Sequence, residues 1–242
     1  MAGLTALQSL RAAGVDRRAR PLTVFLQGPL GGVGSVQLQL AARHFGVTRT
    51  IASVSARKLA QASELFGQLP GVEMACYSEL APAKQFAQQA DVVLHTAGSI
   101  DEVLPIMKKQ SAAAAAAAHA AAPSSAHGGA MVPKPMTVSV CTIPSGAECE
   151  LFGTPMPWLV RKVLDLADWN TRRKARAHGG DYSFCFMLEC TADLALLTSL
   201  ADHEGKLRPV VAQIFPFNLQ RTREAMQLAQ EGKLAGKQMG PE

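Results

Sequence analysis

The sequence predicts an α/β fold: a doubly wound parallel sheet with helices on both faces. Short apolar runs recur along the chain, and they alternate with helical patterns. The first run leads through a glycine-rich loop, "GPLGGVG", into one of those helices. Strands covered on both faces read as apolar runs, and strand–helix alternation marks parallel crossover units. Each crossover is right-handed by default.

Leu22 to Gln27 is the first expected strand. Val33 to Phe45 follows as a helix, with Val36, Leu40 and His44 spaced by four. "TIASVS", 50–55, is the second strand, and a helix runs from it through Leu65. "VEMACYS", 72–78, is the third, and "DVVLHTAG", 91–98, β-branched and closed by Gly98, is the fourth. "MTVSVCTI", 136–143, and "YSFCFML", 182–188, are the fifth and sixth. The alanine-rich tract 111–130 has no periodic apolar face and reads as an inserted low-complexity loop. Residues 191–237 read as helix, strand, helix and turn, with Thr191 as the cap of the first helix and Gly205 as its end. "LRPVVAQIFPF", 207–217, is the strand, and Pro209 confines that end to an edge or a start. Two segments result: 1–190, a nucleotide-binding domain, and 191–242, a C-terminal segment.

Composition narrows the function. A chain of 242 residues can bury a sizeable core as one large domain or two small ones. The formal charge of +5 suits an anionic small ligand as well as a polyanion. Cys76, Cys141, Cys149, Cys185 and Cys190 are scattered with no CxxC, which argues against a metal site or a disulfide framework. No run of about 20 apolar residues suggests a span, so no membrane partner is expected. The amphipathic, arginine-rich start has the character of a mitochondrial presequence. The expected compartment is cytoplasmic, with the mitochondrion as the alternative. Arg172, Arg173, Lys174 and Arg176 form a basic run beside Trp169. It reads as a solvated helix face without a recognised binding module, so no nucleic-acid partner is expected.

The glycine loop carries the chemistry. A helix N-terminus offers free N–H groups and partial positive charge, which favour a pyrophosphate. Close approach needs glycine, and Gly28, Gly31, Gly32 and Gly34, with Val33 among them, stand between a strand and a helix, where such a loop belongs. The spacing is a relative of GxGxxG, and an ordinary glycine turn is the alternative. After the second strand stand Ser55, Arg57 and Lys58, with no acid in "SVSARK". A carboxylate there would hold a ribose 2′-hydroxyl, whereas two cations attract a 2′-phosphate, so NADPH is expected over NADH. At the end of the fourth strand, Thr96 and Gly98 fall where the nicotinamide half would lie. His95 reads more readily as a packed histidine than as an acid or base.

Taken together, "AGLTALQSLRAAGV", "GPLGGVGSVQLQLAARHFG", "SVSARKLAQASELFG", "DVVLHTAG", "YSFCFML" and "GKLRPVVAQIFPFNLQRTREAMQLAQEGKLAGK" resemble the medium-chain dehydrogenase/reductase superfamily, in its zinc-free quinone oxidoreductase and enoyl reductase-like branch. The resemblance implies a Rossmann domain and hydride transfer from NADPH to a quinone or an activated alkene. It implies an opening helix at "AGLTA" in place of a presequence. It also implies a GroES-like catalytic domain before Met1, on which 191–242 would pack. The chain is therefore expected to be a fragment, a truncated product or a subunit completed by another chain. A non-catalytic NADPH-binding or structural subunit is the rival reading. No catalytic residue is assigned, and no metal. The strand "YSFCFML" implies a homodimer through an open sheet edge, with an interior strand as the alternative.

Overall fold

The structure, a computed structural model, describes residues 1–18, 21–78, 81–109, 134–151, 156–216, 218–230 and 237–239. The expected alanine-rich loop at 111–130 lies outside them. Helix α1 (Ala2–Ala12) leads to β1 (Thr23–Gln27), α2 (Gly32–Arg43), β2 (Arg49–Val54), α3 (Ala56–Phe66) and β3 (Val72–Cys76). Then come the short α4 (Pro82–Gln85), β4 (Val92–His95), two 3-10 turns at Ile100–Glu102 and Leu104–Ile106, and β5 (Met136–Ser139). Helices α5 (Gly146–Leu151) and α6 (Trp158–Ala177) precede β6 (Asp181–Phe184), and α7 (Thr191–Asp202), β7 (Val211–Ile214), α8 (Leu219–Gln230) and β8 (Lys237–Met239) follow.

Strands β1 to β6 form one parallel sheet in the order β3-β2-β1-β4-β5-β6, the doubly wound arrangement. Strand β6 is an edge, not an interior strand. Strands β7 and β8 pair separately.

The period-2 alternation of the strands builds two cores. Val24, Leu26, Ala52, Val54, Val92 and Leu94 face one apolar cluster with α1, α2 and α3. Phe25, Ile51 and Val93 face the other, with Phe86, the 3-10 turns and Ala175 of α6. Leu197 and Leu200 of α7 lie in the first cluster beside Leu7 and Leu10 of α1. The helix that opens the expected C-terminal segment is thus joined to α1 by core packing.

Two glutamines lock distant segments. The Gln8 amide donates to the Leu188 carbonyl and accepts from the Leu188 N–H, each at 2.9 Å. The Gln39 amide does the same for Arg208, each at 2.8 Å. A side-chain amide thereby replaces a strand partner where the chain is no longer in the sheet.

Several element ends differ from expectation. Strand β5 stops at Ser139, not residue 143, because the Ser139 hydroxyl accepts from the N–H groups of Cys141 and Thr142 at 3.3 and 3.2 Å and turns the chain. The fourth and sixth strands close at His95 and Phe184. Cys190, not Thr191, occupies the N-cap of α7. Helix α7 ends at Asp202, and Gly205 follows in a left-handed turn with φ +59°.

Candidate functional site

The first β–α crossover sets the site. Gly28 follows β1 with φ +70°, a left-handed conformation that glycine adopts freely. The Gly31 N–H closes a turn on the Gly28 carbonyl at 3.0 Å. Gly31 is the N-cap of α2 and supplies no side-chain cap, and α2 has no acid in its first turn. The first N–H groups of a helix lack intrahelical acceptors. In α2 these belong to Gly32, Val33 and Gly34.

A cavity of about 550 Å³ opens over this loop, at the carboxyl ends of β1, β2 and β4. The sheet order reverses between β1 and β4, so this is the switch-point crevice of an open α/β sheet. All four loop glycines, Val33, Ser55, Arg57, Lys58 and Thr96 line it. Sequence reasoning had singled out each of these, and the fold brings them to one wall.

Gly98 is not on that wall. Its φ is +79°, and a side chain there would meet the Gln27 amide nitrogen at 2.9 Å. Its glycine character serves the turn after β4 rather than the cavity. Thr96 lines the cavity, but its hydroxyl donates to the Gln27 carbonyl. Only its acceptor lone pairs remain for a ligand.

The cavity is electropositive. Arg57 is exposed and Lys58 half-buried, and neither is ion-paired among the described residues. Among the described residues no aspartate or glutamate contributes to the wall.

Among the lining residues that were missed, two carry polar side chains. Ser53, on β2, is 1% exposed and its hydroxyl has no hydrogen-bond partner among the described residues. Tyr77, just past β3, is 48% exposed and flanks the two cations. A polar residue near the end of an apolar strand was the signal for Ser53. For Tyr77 the signal was a lone aromatic at the same end of the next strand.

His95 is buried, and Ser139 faces its Nδ1 at 2.9 Å. The Ser139 oxygen already accepts two backbone N–H groups, so its own hydrogen is directed to Nδ1. Cys141 Sγ lies 3.3 Å from the same nitrogen. Burial lowers the imidazole pKa, opposed by hydrogen bonds to the backbone of Gly98 and Ala97. Burial pushes the Cys141 thiol up, opposed by its bond to Ser139. His95 is thus a packed histidine behind the cavity wall, and its ring is engaged. Among the described residues no group of three or more histidine, cysteine or acidic side chains could hold a metal.

The arrangement suits a polyanion: a glycine turn, bare helix N–H groups, two unpaired cations, an unsatisfied hydroxyl and no carboxylate. Solved structures share the fold. A quinone oxidoreductase from Coxiella burnetii superposes with a TM-score of 0.66 at 22% identity, over 99% of this chain and 58% of its own. An NAD-dependent alcohol dehydrogenase gives 0.63 at 20% identity, over 100% and 56%. A mycobacterial protein in complex with NADPH gives 0.62 at 17% identity, over 100% and 62%. The chain shares its fold with part of each of these proteins. It spans less than two thirds of the length of each of these structures. No family model matches the chain, and no curated protein matches it. In this doubly wound fold, the cavity over the Gly28–Gly34 loop is the crevice where strand order reverses.

Proposed function

We propose that the chain is the NADPH-binding part of a quinone reductase or enoyl reductase-type oxidoreductase. One observation carries the reading: a single cavity joins the Gly28–Gly34 turn to Arg57 and Lys58, with no carboxylate on its wall among the described residues. The pyrophosphate would lie on the N–H groups of Gly32, Val33 and Gly34. Arg57, Lys58 and the Ser55 hydroxyl would hold a 2′-phosphate, which a carboxylate at that place would repel. The unsatisfied Ser53 hydroxyl and the acceptor side of Thr96 are further polar groups for the ribose sugars. When bound, the nicotinamide supplies hydride to a quinone or an activated alkene. This chain's part is to bind and orient the cofactor and to exclude water along the crevice.

The rival reading, a cofactor-binding subunit without turnover, is favoured by one observation. Among the described residues, Arg57, Lys58 and Tyr77 are the only titratable side chains on the wall, and they stand at the β2–β3 side, away from Thr96. His95 is engaged behind the wall. The test is the rise of NADPH fluorescence on adding the chain, followed by a quinone or enone. Fluorescence gain followed by consumption of NADPH supports the enzyme. Gain without consumption supports the binding subunit, and no gain overturns both.

A further inference from the structure

Helix α6 is inside out. At 100° per residue, Arg161, Asp168, Arg172 and Ala175 fall on the side that packs against the body. That side is charged: Arg161 pairs with Glu150, and Arg172 with Asp168 and Glu148. Lys174, at its margin, pairs with Asp101. The opposite side faces solvent and is apolar: Trp158 is 74% exposed, Leu159 60%, Val163 60%, Leu166 63% and Trp169 54%. Soluble helices put such residues inward, so this face is built to meet something.

Its charges say what. Lys162, Arg173 and Arg176 lie on the same outward arc, exposed, and none is ion-paired among the described residues. Arg173 stacks over the Trp169 ring at 5.6 Å. No carboxylate shares the arc: Asp165 is turned toward Gly146 and Asp168 is buried. Apolar residues and two tryptophans with cations and no acid form the pattern of a helix lying in a membrane interface. Anionic headgroups complement the cations, and indole rings favour the headgroup level. A second copy is disfavoured, because a two-fold contact would set these cations against each other with no acid between them.

We propose that the outward face of α6 docks on an anionic lipid surface. Among the described residues no helix is long and apolar enough to cross a membrane. An interfacial helix needs no such span, and the proposal departs from the expectation of no membrane partner. Of the basic run read as one solvated face, Arg172 and Lys174 are tied to acids. The cations left for the outward face sit among apolar residues.

Trp158 and Trp169 are the two tryptophans of the chain, so its own emission reports on this face. The full chain is titrated with vesicles of phosphatidylcholine containing phosphatidylglycerol, and with phosphatidylcholine alone. The expected result is a blue shift and co-sedimentation with the anionic vesicles only, reversed by salt. Leu166→Glu and Arg173→Glu, both at exposed positions and checked for folding by circular dichroism, should each weaken partition by about tenfold or more. Equal binding to both vesicles, or none to either, overturns the proposal. So does a blue shift that depends on protein concentration alone, which would assign the face to a second copy. Binding to a nucleic-acid duplex in place of vesicles also overturns it.

Discussion

A side chain on Gly34 would drive into Gly28: an ideal Cβ at 34 sits 2.9 Å from the Gly28 carbonyl carbon and 3.2 Å from Pro29 Cα. Both neighbours are backbone and cannot swing aside. Gly34→Ala should therefore force the turn open and shift the N–H groups of α2. NADPH affinity should fall about tenfold or more, with about 1–3 kcal/mol lost from stability. Calorimetric titration and chemical denaturation check the two effects. Gly46, in a left-handed conformation with open space around it, is the control. Gly46→Ala should destabilise modestly and leave affinity unchanged.

The cations at the end of β2 should set cofactor choice. Arg57→Ala combined with Lys58→Ala should weaken NADPH about ten- to a hundredfold and leave NADH nearly unchanged. The NADPH advantage should also shrink as salt rises, because Arg57 is exposed. Paired titrations at low and high salt measure both.

Asp193 ties α7 to α1. Its carboxylate accepts from the Gln8 amide at 2.9 Å and pairs with Arg11. The Gln8 hydrogen bond, then the Arg11 charge and hydrogen bond, hold its pKa below the ordinary 3.8. Folded pKa below unfolded pKa means stability present above the ordinary value and lost as pH falls through the lowered one. Acid unfolding below pH 3.8 should therefore be blunted in Asp193→Asn. At neutral pH this variant should be about 1–3 kcal/mol less stable. Denaturation midpoints across pH test both.

His95 gives the opposite kind of group and a separate window. Burial lowers its pKa from 6.5, so the unfolded chain binds the proton first. Stability should be full above that value and fall as pH drops through it toward the lowered folded value. His95→Gln should flatten this slope below pH 6.5. Urea midpoints measured over that range are the check.

Much of the fold was legible because it is written locally. The runs around Phe25, Ile51 and Val93 are apolar on both sides, which only a doubly covered parallel sheet requires. The loop glycines were legible because a glycine cluster between a strand and a helix has few other uses. What was illegible depends on distance along the chain. Nothing near Gln8 says that its amide will clamp Leu188, or that Gln39 will clamp Arg208. Ser53 and Tyr77 join the cavity only because β2 and β3 end at the same level. Gly98 was misplaced because a left-handed turn and a ligand contact ask for the same residue. The basic run on α6 could not be divided in sequence, because a helix turns Arg172 inward and Arg173 outward.

The most direct test of the central claim is isothermal titration of the 242-residue chain with NADPH and, separately, NADH. The account predicts one site with a Kd of about 10 µM or tighter for NADPH and at least about tenfold weaker binding of NADH. Equal affinities would contradict the assignment of Arg57 and Lys58 to a 2′-phosphate. Absence of heat with both would contradict the cofactor site itself.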